Sequence, residues 1–419
     1  MKKITACILG YGDRGRVYGN YALAYPEELE ITAVVEPLPQ RMAAAKKLFS
    51  LPDDRCFSDF DSFAAQGKIA DCVINCTMDS LHVVTSLPLL DAGYDMLLEK
   101  PVCNNEKELA LLEECVKRNN SKLMICHVLR YAPFYRRVKQ LILDGEIGEV
   151  VNIRTDEHVA YNHASAAFIR GKWNNEKRCG STMLLQKCCH DLDLICWLNP
   201  FRPTRTASFG GRNFLIPEKA PRDAAERCLN GCPHVEDCPY SAKKISVEKD
   251  IFPQYTCEGM NKYFRDVTTE EKIQSLKTDN PHGICAYKTD ADIVDHQTLI
   301  LQFENGSTAS HTMICGAPRG DRTIHIVGTR GEIEGRWSTN IVNLYRADGS
   351  HESYDVAKEI DRADHHLGGD TELMRDFVRF LNGLPAGISC TTISDSLNGH
   401  KCVYMADRSR VELKEEPIA

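Results

Sequence analysis

The sequence lacks the features that mark membrane and secreted proteins. None of the apolar runs in its 419 residues reaches the roughly 20 residues needed to span a bilayer. Residues 1–7 pass directly into a strand-like pattern, without the apolar core and small-residue cleavage site of a signal peptide. We therefore expect a cytoplasmic protein with no membrane partner.

An excess of one sign of charge is also missing. The 51 Lys and Arg residues and 59 Asp and Glu residues give a formal net charge of -8, and the two signs are interspersed along the chain. Nucleic acids and anionic membranes attract basic surfaces, so no nucleic-acid partner is expected. A small neutral or anionic metabolite suits this composition.

Cysteine is abundant, yet a disulfide framework is not expected. The 19 cysteines are an odd number, and several lie in apolar runs, among them Cys7, Cys72, Cys76 and Cys126. A reduced thiol in such a run behaves as a small apolar side chain. This usage fits a reducing compartment.

A glycine motif follows the first strand-like segment, residues 3–9. Its residues are Gly10-Tyr11-Gly12-Asp13-Arg14-Gly15, and a helical pattern continues from them. Between a strand and a helix, the spacing G-x-G-x-x-G lets a diphosphate approach the helix N-terminus. A dinucleotide is the expected ligand.

The second strand supports this interpretation. It ends in Glu36, 21 positions after Gly15, close to the ~20 expected for the acid that binds the adenosine ribose hydroxyls. A carboxylate there repels a 2'-phosphate, which favours NAD, although Arg41 is near enough to make NADP the alternative.

The segment Glu99-Lys100-Pro101 ends another strand-like run. Proline keeps Lys100 out of helical geometry and permits a cis peptide bond, so the backbone would fix the position of the lysine. Such residues at a strand end are often only solvated surface. Here, however, the carboxyl ends of parallel strands share one crevice, which places Lys100 beside the cofactor. The other residues expected at this edge are Thr77, Met78 and His82.

With these segments the sequence resembles the Gfo/Idh/MocA oxidoreductases, named for glucose-fructose oxidoreductase and inositol 2-dehydrogenase. The similar segments are residues 10–15, Glu36, residues 77–82, residues 99–101, Arg130-Tyr131-Ala132-Pro133 and residues 141–148. The resemblance implies an α/β fold with an N-terminal Rossmann dinucleotide-binding domain and a C-terminal α+β domain built on an open, largely antiparallel sheet. It also implies that Lys100 contacts nicotinamide and substrate, and that the chain forms a homodimer or homotetramer.

We expect residues 1–126 to form the Rossmann domain and residues 127–419 the substrate-binding and oligomerisation domain. Two domains also suit the length, which exceeds one ordinary core. Residues 213–291 form a cysteine-rich insertion that we expect to shape or cover the pocket.

A helix at residues 184–198 carries the second group of candidate residues. Gln186, His190 and Asp193 share one of its faces. A buried histidine is more often a satisfied core residue than a catalyst, but family members usually have this histidine, four residues after an aspartate. Gln186 replaces that aspartate and cannot act as a base. The segment Lys187-Cys188-Cys189-His190-Asp191 resembles one branch of the family, in which Lys187 joins the pocket and proton transfer falls to His190 or a lysine.

The resemblance completes the list of candidate residues. Lys100, His190 and Lys187 are the predicted catalytic residues. Residues predicted to contact the substrate are His127, Arg130, Gln186, Asp193 and His366. Arg170 and Trp173 resemble family positions near the nicotinamide. Many donors and acceptors with few apolar walls suit a sugar-like substrate.

The insertion contains Cys228, Cys232 and Cys238, with His234 between them. This spacing lacks a C-x2-C or C-x4-C half-site, and the pattern identifies no clear fourth ligand, for which Cys257 is a candidate without support from a motif. A structural zinc and ordinary reduced thiols both fit the pattern. No metal is predicted.

The leading hypothesis is an NAD-dependent dehydrogenase acting on a sugar, inositol or sugar derivative. One alternative is a glycosidase, epimerase or isomerase that recycles tightly bound NAD. Another is a nucleotide or sugar sensor without turnover, which Gln186 favours and which Lys100 and His190 oppose. Fold alone does not decide among them.

Overall fold

Two β-sheets organise the structure, a computed structural model that describes residues 1–360, 365–414 and 416–418. Within these residues the first sheet has six parallel strands. The strands are β1 (Ile4–Leu9), β2 (Leu29–Val35), β3 (Cys56–Phe57), β4 (Cys72–Asn75), β5 (Asp95–Leu98) and β6 (Leu123–Ile125). The helices that alternate with them are α1 (Asp13–Ala24), α2 (Pro39–Phe49), α3 (Phe60–Ala64), α4 (His82–Asp91) and α5 (Glu106–Asn119).

The strand order of this sheet is β3-β2-β1-β4-β5-β6. Strands covered on both faces must be apolar throughout, and β4 is buried along its whole length. The order reverses between β1 and β4, which is where parallel sheets of this kind bind ligands at the carboxyl ends of the strands. Gly10 and Cys76, which follow these two strands, therefore border the crevice.

The described residues form a second sheet of nine strands. These are β7 (Val150–Ala160), β8 (Pro203–Gly211), β9 (His296–Phe303), β10 (Thr308–Ala317), β11 (Asp321–Gly328), β12 (Gly331–Arg336), β13 (Ile341–Arg346), β14 (His351–Asp355) and β15 (Glu416–Pro417). Their order is β14-β13-β12-β11-β7-β10-β9-β8-β15, and only the β7–β10 pair among these described strands is parallel.

The remaining helices lie after the first sheet. They are α6 (Pro133–Leu143), α7 (Tyr161–His163), α8 (Glu176–Cys179), α9 (Met183–Leu198), α10 (Pro253–Thr256), α11 (Thr269–Lys277), α12 (Gly369–Leu381) and α13 (Ile393–Glu412). Ala164–Ile169 and Lys243–Glu248 are π-helical segments. Where the chain is described, none of its helices combines the length and apolarity needed to cross a membrane.

One face of the second sheet is covered and the other is open. Along β9 the buried residues Leu299, Leu301 and Phe303 alternate with exposed positions such as Ile300, as expected for a sheet with one solvated face. Helices α9 and α13 pack against each other and against the covered face. This confirms the predicted fold class.

Helix α12 returns to the first sheet. Its residues Leu373, Met374 and Phe377 pack in one core with Ile4 and Ile8 of β1. The second half of the chain thus supplies part of the core under the first sheet. The predicted boundary at residues 126 and 127 stays a prediction.

All 19 cysteines lie in the described residues and are free thiols.

Candidate active site

A crevice of about 2200 Å³ separates the carboxyl ends of the first sheet from the second sheet and its helices. The glycine motif borders one end, Lys100 and His190 lie further along it, and the insertion at residues 213–291 contributes to its wall. Most of the predicted site residues therefore share one cavity.

The glycine motif has the shape that a dinucleotide requires. Gly10 has a φ of +91°, and a Cβ there would lie 2.7 Å from the carbonyl oxygen of Cys76. A Cβ on Gly15 would lie 2.2 Å from the carbonyl oxygen of Gly10. A Cβ on Gly12 would have its nearest neighbour, the Arg41 Nη1, 3.8 Å away, and no described side chain caps the helix that starts at Asp13. The amides of this helix N-terminus can therefore bind a diphosphate.

Glu36 lies at the adenosine end of this cradle. Its buried carboxylate accepts hydrogen bonds from the backbone N–H of Tyr11 at 2.8 Å and of Leu38 at 3.0 Å. Burial raises the pKa of Glu36, while the two N–H donors oppose that change. Each carboxylate oxygen keeps a lone pair that a ribose hydroxyl can use. The Tyr11 side chain is buried and, unlike Glu36, does not line the crevice.

His82 organises two of the loops at this edge without lining the crevice. Its ring nitrogens lie 2.6 Å from the carbonyl oxygen of Pro101 and 3.1 Å from that of Thr77. Thr77 and Met78 line the crevice, and the Lys100–Pro101 peptide bond is cis. The histidine thus holds the loop after β4 against the loop that carries Lys100.

Arg14 lines the crevice and links the end of β5 to α12. Its Nε donates to Glu99 Oε1 at 2.8 Å, and its guanidinium pairs with Asp370 of α12. Although burial alone would raise the pKa of Asp370, the Arg14 guanidinium holds it well below its usual range. The other Glu99 oxygen accepts the Lys100 backbone N–H at 2.8 Å.

Lys100 reaches across the crevice to α9. Its Nζ donates to the carbonyl oxygen of Gln186 at 2.8 Å. The Gln186 side chain turns back to the start of the helix, where Nε2 donates to the Ser181 carbonyl oxygen at 2.6 Å. Helix α9 is itself capped by Thr182, whose hydroxyl accepts the Leu185 N–H. Lys100 and the first turn of α9 are therefore held in one geometry.

His190 lines the crevice one turn after Gln186. Burial lowers the pKa of His190 well below its ordinary value, and the nearby cations Lys100 and Arg322 lower it further. The imidazole is therefore neutral near pH 7. Its Nδ1 is buried and has no hydrogen-bond partner among the described residues. A neutral imidazole can act as a general base, and because Nδ1 is buried, Nε2 would be the nitrogen that takes the proton.

Three predicted substrate ligands lie behind the crevice wall. Arg130 and Asp193 form a buried bidentate ion pair, with N–O distances of 2.7 and 2.6 Å. The buried His127 has Nε2 at 2.8 Å from Ser396 Oγ, and its ring is 5.9 Å from that of His190. None of the three lines the crevice. In the structure their contacts support α9, and the predicted contact of these three residues with the substrate stays a prediction.

A layer of cations faces the crevice near His190. Lys187 lies 3.4 Å from Glu157, and the Nε of Arg322 lies 2.5 Å from Glu157 and 3.0 Å from Asp191. The lysine and arginine side chains are 15% and 12% exposed, whereas the carboxylates are 4% and 2% exposed. The acids therefore lie behind the cations, and the crevice meets the positive groups first.

Arg322 and His163 line this part of the crevice but were not among the predicted residues. Arg322 on β11 stands opposite Glu157 on β7 through strand pairing that no local sequence pattern reveals. His163 ends α7, where β7 gives way to the π-helical segment. Burial lowers the pKa of His163 well below its ordinary value, and Lys187 and Arg322 lower it further.

The three remaining predicted residues have different surroundings. Arg170 donates from Nε to the Ile284 carbonyl oxygen at 2.6 Å and from Nη2 to that of Tyr240 at 2.7 Å, so its guanidinium anchors the insertion. Trp173 lines the crevice. His366 is exposed at the crevice and has Nδ1 3.0 Å from Asp370 Oδ2.

The insertion bridges the two sides of the crevice at Glu258. Its Oε1 accepts from Arg41 Nη2 at 3.0 Å and from Lys172 Nζ at 3.2 Å. Gln40 of α2 also donates to the Met260 carbonyl oxygen at 3.1 Å. The insertion thus contacts the first sheet's helices close to Glu36, in line with the prediction that it covers the pocket.

Two sequence profiles match the chain. One, described as the NAD-binding Rossmann fold of an oxidoreductase family, matches residues 4–127, and the other, its C-terminal alpha/beta domain, matches residues 139–383. The chain belongs to the Gfo/Idh/MocA oxidoreductase family. The resemblance seen in the motifs is confirmed, and so is NAD as the cofactor class of the N-terminal domain.

Distant relatives of this chain include an oxidoreductase and an inositol 2-dehydrogenase. An oxidoreductase named YteT from Bacillus subtilis (strain 168) is 25% identical over 398 residues, which cover 90% of this chain and 88% of that protein. An inositol 2-dehydrogenase from Corynebacterium glutamicum (strain R) is 24% identical over 198 residues, covering 47% and 54%.

Solved structures show the same fold. An oxidoreductase from Agrobacterium radiobacter in complex with NAD+, L-tartaric acid and magnesium has a TM-score of 0.71 at 13% identity, over 99% of this chain and 98% of that one. A scyllo-inositol dehydrogenase from Lactobacillus casei has a TM-score of 0.67 at 17% identity, over 100% and 98%.

Proposed function

We propose that this chain is an NAD-dependent oxidoreductase that transfers a hydride between the nicotinamide and a hydroxyl-bearing carbon of a sugar, inositol or sugar derivative. The observation that carries the proposal is that Lys100 and His190 line one crevice beyond the glycine motif, with Lys100 bonded to α9 one turn before His190.

Each residue has a role that its surroundings support. Bound NAD supplies the ring that accepts the hydride. The neutral imidazole of His190 takes the proton of the substrate hydroxyl. The Lys100 ammonium donates a hydrogen bond to the same oxygen and stabilises the negative charge that develops there. Lys187 and Arg322 orient the substrate from the adjoining wall.

The adenosine end favours NAD over NADP. Glu36 presents a carboxylate where the ribose hydroxyls would bind, and Arg41 is already paired with Glu258. A 2'-phosphate would have to displace the Glu258 carboxylate from Arg41, and it would also lie close to the Glu36 carboxylate. Both features act against NADP.

The cation layer favours a substrate that carries a negative group. Lys100, Lys187 and Arg322 all line the same part of the crevice, and the carboxylates that balance two of them lie behind. Cations held in a partly buried wall attract an anion more strongly than cations in bulk water do. A sugar or polyol with a carboxylate, such as a uronate, fits this wall.

A second candidate function is net redox-neutral chemistry with retained NAD: glycoside cleavage, epimerisation or isomerisation. The observation that favours it is the double ion pair of Glu258, which ties the insertion to Arg41 and Lys172 across the cofactor crevice. Release of NAD would require these contacts to break. A sensor without turnover is less well supported, because the crevice holds both a base and a lysine beside it.

We also propose that the open face of the second sheet forms the contact of a homodimer or homotetramer. Phe209 and Ile300 stand on this face, and they are 69% and 56% exposed. Apolar side chains in such a position are usually covered by a partner, and a symmetric copy of the same face provides one.

The test is incubation of the purified protein with NAD and a panel of sugars, inositols, uronates and glycosides. NADH absorbance is recorded while products are identified by mass spectrometry. NADH with a keto product supports the dehydrogenase, and product without net NADH supports the second candidate. Failure of every substrate on both readouts would contradict both.

A further inference from the structure

Four of the insertion's cysteines gather in one place although they are far apart in the sequence. The Cys228 backbone N–H donates to the Gly283 carbonyl oxygen at 2.9 Å, and the Cys285 N–H donates to the Glu226 carbonyl oxygen at 2.8 Å. These bonds flank an antiparallel bridge between Arg227 and Ile284. They place Cys228 and Cys285 at diagonal positions on the same side of this bridge.

Arg170 brings the third cysteine to the same place. Its Nη2 contacts Cys228 Sγ at 3.5 Å and donates to the Tyr240 carbonyl oxygen at 2.7 Å. The segment Cys238-Pro239-Tyr240 therefore passes next to Cys228. Tyr240 and Tyr287, each two residues after a cysteine, also meet edge to face with ring centroids 5.9 Å apart.

The thiols occupy one electrostatic neighbourhood. Cys228 acts electrostatically on both Cys238 and Cys285, so these three thiols lie near one another. Cys232 acts on Cys285 in the same way and stands four residues after Cys228, so the fourth sulfur belongs to the same neighbourhood. The thiolate is the form of cysteine that binds metals.

We propose that Cys228, Cys232, Cys238 and Cys285 are the four thiolate ligands of a metal centre that holds the insertion together. Four sulfur ligands select thiophilic metals, either zinc or the iron of an iron–sulfur cluster. On binding, each thiol releases its proton to solvent.

The spacing of the sulfurs favours a cluster over a single ion. A zinc ion bound at ~2.3 Å to each sulfur would hold the sulfurs about 3.8 Å apart. In the described part of the chain, one group of three side chains has possible ligand atoms that all lie within 4.8 Å of one another. It consists of Cys188, Asp191 and His311, outside the insertion. No three of the four sulfurs are therefore that close. A cluster bonds its thiolates to different irons and so spreads them further apart.

Cys257 is not part of this group. Burial raises its pKa, and its charged neighbours are Lys272 and Asp250. The fourth thiol is thus Cys285, 47 residues beyond Cys238, and not Cys257. This gives the insertion a matched control cysteine.

The proposed centre is linked to the active-site crevice through Arg170. That guanidinium contacts Cys228 and anchors the segment whose next residues, Lys172 and Trp173, line the crevice. Loss of the metal should therefore loosen the Lys172–Glu258 contact as well as the insertion.

The test is metal analysis of the full-length chain purified without oxygen. Iron, sulfide and zinc are measured per chain, together with absorbance in the visible range. We expect about four irons with sulfide in the wild type and in Cys257→Ser, and a loss of at least ~5-fold in Cys285→Ser. One zinc per chain in place of iron would support the four ligands and contradict the cluster. Wild-type protein with neither metal, or Cys285→Ser with a full complement, would overturn the proposal.

A measurement on the wild type keeps the test independent of whether the variant folds. Thiols that react with a disulfide reagent are counted before and after chelation under native conditions. We expect about four additional reactive thiols after chelation, and faster proteolysis within residues 213–291. An unchanged thiol count would contradict the proposed ligand set.

Discussion

The Lys100 Nζ lies 2.8 Å from the carbonyl oxygen of Gln186, one helical turn before His190 on α9. This hydrogen bond joins the end of β5 in the first sheet to the helix that covers the second. It fixes an ammonium group and a neutral imidazole on the same crevice. The proposed proton transfer depends on this pairing.

The pH dependence of kcat/KM should report His190. Burial and nearby cations lower its pKa, so the acid limb of the profile should lie well below the ordinary pKa of about 6.5. Between this lowered pKa and about pH 6.5, the unfolded state binds more protons at this site than the folded state does. The free energy of unfolding should therefore decrease as the pH is lowered through this range. His190→Asn should remove the acid limb and most activity, whereas His351→Asn, on the exposed β14, should change neither. An acid limb above pH 7 would contradict the assignment.

Asp193→Asn should destabilise the fold more than it changes substrate binding. Asp193 neutralises Arg130 in a buried, bidentate pair, and its loss leaves an unpaired buried charge that costs about 3–5 kcal/mol. Chemical denaturation measures this cost. The matched control is Asp91→Asn in the exposed pair with Arg118, which should leave the denaturation midpoint nearly unchanged. A raised KM with unchanged stability would instead indicate direct substrate contact.

Glu258→Gln should speed the release of NAD. The substitution removes the charge that holds Arg41 and Lys172 together over the cofactor crevice. We expect the dissociation rate of NAD to rise at least ~5-fold, as loss of a partly buried ion pair does in other interfaces. The control is Glu270→Gln on the exposed side of α11. Equal release rates in wild type and Glu258→Gln would show that the insertion does not retain the cofactor.

Lys187→Met should weaken the binding of acidic substrates selectively. In this variant Arg322 alone faces both Glu157 and Asp191, so the wall changes from balanced to an excess of one negative charge. We expect KM for a uronate to rise ~10-fold, and KM for the matching neutral sugar to change less than ~2-fold. Steady-state kinetics at low and high salt measures both values. An equal rise for the two substrates would argue against an anionic substrate while leaving the dehydrogenase proposal intact.

The cofactor half of the site could be predicted because its determinants are local in the sequence. Gly10, Gly12 and Gly15 stand within six residues, and Glu36 directly follows the next strand. Hydrophobic runs of the right length also reveal the other parallel strands of the first sheet. The dipeptide Lys100-Pro101 alone also indicates that a cis peptide bond is permitted there, and the structure has one.

The rest of the site depends on contacts between distant segments. Arg322 meets Glu157 because β11 pairs with β7, and Cys285 comes near Cys228 through the bridge between Arg227 and Ile284. Pairings of this kind follow from the tertiary fold and leave no periodic pattern. The ion pair of Arg130 and Asp193 also joins distant segments. Each residue alone looks like a polar ligand, which is why both were predicted to contact the substrate.

The most direct test of the central claim is a comparison of wild type with Lys100→Ala, using NAD and the substrate found in the panel. The glycine motif and Glu36 are untouched in this variant, so the Kd for NAD should stay within ~3-fold. Turnover should fall at least ~10³-fold, because the developing charge on the substrate oxygen loses its donor. The exposed Lys107→Ala serves as control. Wild-type turnover in Lys100→Ala would contradict the account.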